Sequence, residues 1–136
     1  MSTRRPQYYR FEMLTQDPET GLPDGLFVRA YALVRSGELP GYYHDLLYDL
    51  IDWFRKNLDR PTRFNSSTSK GADRRVTKGV SWYKDTSHQH IAKMREISAI
   101  LVELGYSVNE RATSRPGYVV YEDEIQIVAE PFSGNV

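Results

Sequence analysis

The chain has 136 residues, 18 of them Lys or Arg and 18 Asp or Glu, and no cysteine. A chain of this length hides about two-thirds of its unfolded surface without staples. Disulfides, thiolate metal sites and a thiol nucleophile are excluded, and the balanced charge gives no net field to steer the molecule toward nucleic acid or an anionic membrane.

The N-terminal stretch MSTRRPQYYRFEML has no apolar run of signal-peptide length, and no later run is long enough to span a bilayer. A cytoplasmic protein with no membrane partner is therefore expected. Tyr9, Phe11 and Met13 alternate with Tyr8, Arg10 and Glu12, the period of a half-buried strand over 7–14. After the turn-rich TQDPETGLPDG, Asp24 is placed to cap a helix with Leu26, Phe27, Ala30, Leu33 and Val34 on one stripe, and Gly37 to end it in a left-handed conformation. A second helix starts near Pro40, where a missing N–H costs nothing. It carries Tyr43, Leu46, Leu47, Leu50, Ile51, Phe54 and Leu58 on one face and stops at Pro61, and the short link makes the two an antiparallel hairpin.

Residues 60–77 have almost no apolar side chain, so a flexible loop is expected there. The loop belongs to a basic segment. Between Arg55 and Lys84 the cations are 55, 56, 60, 63, 70, 74, 75, 78 and 84, against Asp59 and Asp73, whereas nothing after Pro116 is basic and Glu122, Asp123, Glu124 and Glu130 are acidic. Val76, Val80 and Trp82 restart a strand pattern. A third helix follows, with Thr86 and Gln89 as a capping box, apolar positions at Ile91, Met94, Ile97, Ile100, Leu101 and Leu104, and Gly105 as terminator. YSVNERAT, YVVYE and IQIVAEPF then read as a three-stranded antiparallel meander. The fold class is α+β: a four- to five-stranded antiparallel sheet, with the helical hairpin and the further long helix packed on one face, in a single domain over 1–136.

The run SWYK, then HIAKMRE, then RPGYVVYEDEIQIVAEPF, with GLF, WF and RPTRF before them, resembles a widespread family of small bacterial proteins with no assigned activity. The resemblance covers most of the chain and implies one intact bacterial domain. It brings no catalytic residues, metal or cofactor.

Two functional readings come from the residues themselves. In the first, the protein is a non-catalytic module that binds an anion, a phosphate-bearing small molecule or nucleic acid. Arg63, Lys70, Arg74, Arg75, Lys78 and Lys84 supply charge, Trp82 stacks on a ring, and Thr86, Ser87 and His88 donate at the positive end of the third helix. In the second, the same basic loop docks on an acidic protein partner or a second copy, with tyrosines 8, 9, 42, 43, 118 and 121 enlarging the contact, so that the product is a complex or homodimer. An enzyme using His88 or His90 as general base is a third option. The two histidines are two apart on a helix and diverge by about 200°, and no carboxylate stands at a ligand spacing, so no metal is expected.

Overall fold

The computed structural model describes residues 5–16, 18, 21–61, 63–65, 73–74 and 77–132. Among the described residues eight strands and three helices follow one another as β1 (Tyr8–Gln16), β2 (Pro23–Gly25), α1 (Leu26–Ser36), α2 (Gly41–Asn57), β3 (Phe64–Asn65), β4 (Asp73–Arg74), β5 (Val80–Lys84), α3 (His88–Glu103), β6 (Val108–Thr113), β7 (Tyr118–Glu122) and β8 (Gln126–Glu130). Six strands form one antiparallel sheet in the order β2-β1-β5-β8-β7, with β6 paired to β1, while β3 and β4 pair separately. The α+β class is as expected, with more strands: β2, β3 and β4 are too short to leave a periodic signal. The chain divides into two compact units, Met1–Arg10 with Arg60–His88 and Ala112–Val136, and Phe11–Asp59 with Gln89–Arg111.

The second unit holds the helices. Gly25 is the N-cap of α1 and offers no side chain, because the Asp24 carboxylate instead accepts the Thr15 hydroxyl at 2.8 Å. Asp24 is thus spent on the turn between β1 and β2. At the other end Gly37 takes the left-handed conformation at φ 72°, as its sequence position demands. Pro40 starts α2 and accepts the His44 amide at 3.0 Å. The two helices meet through Phe27 and Phe54, ring centroids 5.0 Å apart and edge to face. Helix α3 ends as a Schellman motif, the Tyr106 amide reaching the Leu101 carbonyl and the Gly105 amide that of Val102, both at 3.0 Å. Phe11, Met13, Leu47, Ile51, Ile97 and Leu101 are among the side chains buried in this unit.

β1 is buried on both faces between Arg10 and Met13, so the alternation seen in sequence is only half of its environment. Glu12 is 3 % exposed. Arg111 on β6 approaches its carboxylate at 3.3 Å, and the pairing of β6 with β1 makes that contact. The expected three-stranded meander is corrected by this arrangement: only β7 and β8 form a hairpin, and β6 pairs with β1. A buried carboxylate requires a cation, and the β6 sequence carries one.

In the first unit β8 is central, aligned with β5 on one side (Trp82 opposite Ile127) and with β7 on the other (Val119 opposite Ala129). Trp82, Ile127 and Ala129 form one buried cluster, and Phe64, Val120 and Val128 another. Gly79 sits where β5 begins because a Cβ there would come within 2.9 Å of Val128 Cγ1 and 3.1 Å of the Ala129 backbone. Among the described residues no helix is long and apolar enough to cross a membrane.

Candidate functional site

The ten residues singled out from sequence occupy very different environments. Lys70 and Arg75 lie outside the described residues, and Arg74 contributes backbone to β4 opposite Phe64. Arg63, Lys78, Thr86 and His88 are exposed. Trp82 is 3 % exposed and packs on Ile127 and Ala129, so its indole presents no face to a base or nucleotide ring. Lys84 forms an ion pair with Glu122 at 2.6 Å. Ser87 is buried and donates its hydroxyl to the Ile125 carbonyl at 2.7 Å, while its amide bonds the Lys84 carbonyl at 2.9 Å. Helix α3 begins at His88, one residue later than a Thr86 cap implies, which leaves Thr86 in the turn before it. Of the anion-binding set, Trp82, Lys84 and Ser87 are therefore engaged within the first unit, Trp82 on β8 and the other two at the β7–β8 turn.

That turn is built around Asp123. Its carboxylate accepts the amides of Ile125 at 2.8 Å and Gln126 at 3.0 Å, together with the Tyr121 hydroxyl at 2.8 Å. Partial burial alone would raise the Asp123 carboxyl, but these donors outweigh it and hold the group below its ordinary range. A depressed folded value means that the turn's contribution to stability is complete above the unfolded carboxyl value and disappears as the pH falls through the folded one. Asp123→Asn is therefore expected to be less stable than the parent near neutrality, and in chemical denaturation the gap should narrow once the pH falls below the ordinary carboxyl value of about 4. A gap independent of pH would show that the charge on Asp123 plays no part.

Among the described residues no three His, Cys, Asp or Glu side chains come together to hold a metal. His88 is exposed. His90 is buried between Trp53 and Phe54, ring centroids 4.8 and 5.8 Å away. Its Nε2 lies 2.7 Å from the Asn57 carbonyl oxygen; a carbonyl only accepts, so this nitrogen carries a proton and donates it to the end of α2. Burial also pushes the Tyr83 phenol far above its ordinary range, with Arg10 drawing it slightly down, so it stays protonated.

A concave surface among the described residues lies elsewhere, between α2 and α3. It encloses about 410 Å³, with Leu46, Asp49, Leu50 and Trp53 on the α2 wall and Lys93, Glu96, Ala99 and Ile100 on the α3 wall. On α2 the spacing of Leu46, Leu50 and Trp53 places them in a row along one face. One turn earlier on that row stands Tyr42, 71 % exposed. Asp45, Asp49 and Asp52 stand on a parallel row, in which Asp52 is paired with Lys56 at 2.9 Å and Asp45 lies 3.3 Å from His44 Nδ1, so that Asp49 is the carboxylate of the row that lines the groove. On the opposite wall Lys93 Nζ lies 5.7 Å from the Trp53 ring centroid and 3.8 Å from the Glu96 carboxylate. The one ammonium in the groove is thus already engaged, and Ala99, exposed and small, leaves room above the floor. The sequence reading missed this groove because it set Leu46 on the same apolar face as Leu47 and Leu50, which are buried, whereas Leu46 is 37 % exposed. The signal available was the run of aspartates beside them.

No family model, curated protein or solved structure matches the chain. The family resemblance of SWYK, HIAKMRE and RPGYVVYEDEIQIVAEPF accordingly assigns neither membership nor a site.

Proposed function

We propose that the protein is a protein-interaction module whose docking surface is the α2–α3 groove. The observation that carries this reading is a concave, largely apolar surface whose rim is polar, the anatomy of a recognition site. Leu46 on its α2 wall remains 37 % exposed, and Trp53 is half-buried on the same wall; tryptophans that become desolvated on binding carry much of the energy of many interfaces. In the basic segment that the sequence nominates for the same task, Lys84 is already paired with Glu122, so an acidic partner has less to gain at that cation.

A photo-crosslinking residue at Ala99 tests the reading. It should give a discrete adduct in the source cell that Leu46→Asp abolishes and that the same residue at Val28, exposed on α1, does not give. Equal adducts from both positions, or none, would overturn it. Among the described residues, anion binding has Arg63, Lys78, Thr86 and His88 exposed for it, without the Trp82 ring. A nucleotide panel that raises Tm with ligand concentration, reversed by Lys78→Ala, would favour that reading instead.

A further inference from the structure

We infer that the partner seated in the α2–α3 groove is a basic amphipathic helix, an inference that rests on the docking reading above. The walls are two helices whose backbone amides and carbonyls are satisfied internally, so an extended strand would find no ladder to join. A helix needs only side-chain contact, and exposed Ala99 permits its axis to approach closely. From Tyr42 to Trp53 the apolar row runs about 16 Å, or three turns. It therefore suits a segment with apolar residues at i, i+3 or i+4, and i+7.

Charge decides the flanks. Asp49 and Glu96 stand in the groove itself. Asp45 extends the acidic row with its side chain 82 % exposed. Lys93 is held by Glu96 and the Trp53 ring. A helix with Lys or Arg beside its apolar stripe would meet carboxylates along the α2 side, whereas an acidic helix would bring like charges together. The same row of aspartates repels nucleic acid and anionic lipid, which separates this surface from those ligands.

The probe is a synthetic helical peptide with leucines at i, i+3, i+4 and i+7 and lysines at its flanks, against the same peptide with glutamates in place of lysines. The readout is the fluorescence of Trp53; the other tryptophan, Trp82, is buried in a different cluster, and Trp53→Phe identifies the responding signal. The lysine peptide should bind at least about 10-fold more tightly than the glutamate peptide at low salt, with the ratio falling as salt rises. Asp49→Lys combined with Glu96→Lys should invert the preference, and Ala99→Trp should block both peptides. Because Asp49 and Glu96 are exposed, the charge pair keeps the test available where Ala99→Trp proves unstable. Equal binding of the two peptides that Ala99→Trp blocks would overturn the basic partner while leaving the groove as a docking site. Binding that ignores both the charge reversal and Ala99→Trp would place the peptide elsewhere and overturn the inference. Failure of both peptides to bind would overturn it too, and the adduct at Ala99 then decides the docking reading by itself.

Discussion

Leu47→Ala is expected to cost about 3–4 kcal/mol, while Leu46→Ala, one residue earlier in the same helix, costs under about 1 kcal/mol. Leu47 is fully enclosed at 0 % exposure and Leu46 is 37 % exposed. Truncating Leu47 removes buried methyl groups and leaves a cavity whose walls, the packed helices of its unit, relax only in part. Truncating Leu46 removes contacts on one side of a groove that water already reaches, so little cavity forms. For a chain of this size the first change should lower Tm by about 10 °C or more, and the second by only a few degrees. Thermal unfolding followed by circular dichroism measures both. The comparison also bears on function, because a side chain that costs little to remove yet lines a groove is available for a partner. Similar losses for the two variants would mean that the groove is closed in solution and that Leu46 belongs to the core.

The same pair of residues shows what could and could not be read in advance. Their positions on a wide apolar stripe make α2 a helix and orient it. Which edge of the stripe stays uncovered depends on where α3 lies, and α3 is 30 residues downstream of α2 in an unrelated part of the pattern. Helix ends were legible where the signal is local: Gly37 and Gly105 both adopt positive φ and close α1 and α3. Asp24 was misread because its carboxylate had two local uses, a helix cap or the Thr15 hydroxyl. Strand order was not legible for a different reason. VNERAT has a weak apolar face, and its place beside β1 goes with the contact of Arg111 and Glu12, residues 99 positions apart. In the segment RRVTKGVSWYK the composition of a binding surface and that of a core strand coincide. Trp82 falls inward because Ile127 and Ala129 of the neighbouring β8, with Tyr8 and Val80, pack around its rings.

Gly117→Ala is expected to be the most damaging single substitution outside the buried side chains, at about 3–5 kcal/mol, because two separate penalties fall on one atom. Gly117 adopts φ 137° in the connection from β6 to β7, a backbone region that costs a residue with a side chain about 1–3 kcal/mol. A Cβ placed there would also overlap the Glu130 carbonyl oxygen, lie 2.7 Å from the Glu130 carbonyl carbon and 3.0 Å from Pro131 Cα. Those are backbone atoms and cannot swing aside as a side-chain tip would, so overlap adds about 1–3 kcal/mol. The damage spreads because the β7–β8 register begins at the adjacent pair, Tyr118 opposite Glu130. Glu130 in turn accepts the Thr77 hydroxyl at 2.6 Å, and Tyr118 packs edge to face on Phe132 with centroids 4.7 Å apart. Gly37→Ala separates the two penalties. Gly37 also has positive φ, at 72°, but nothing lies within 4 Å of its added Cβ, so it should lose only the backbone part, about 1 kcal/mol. Urea denaturation of the two variants gives the difference directly. Equal losses would show that the Glu130 backbone yields to the methyl group, and that the close approach of the β6–β7 connection to the end of β8 is not a rigid feature of the fold.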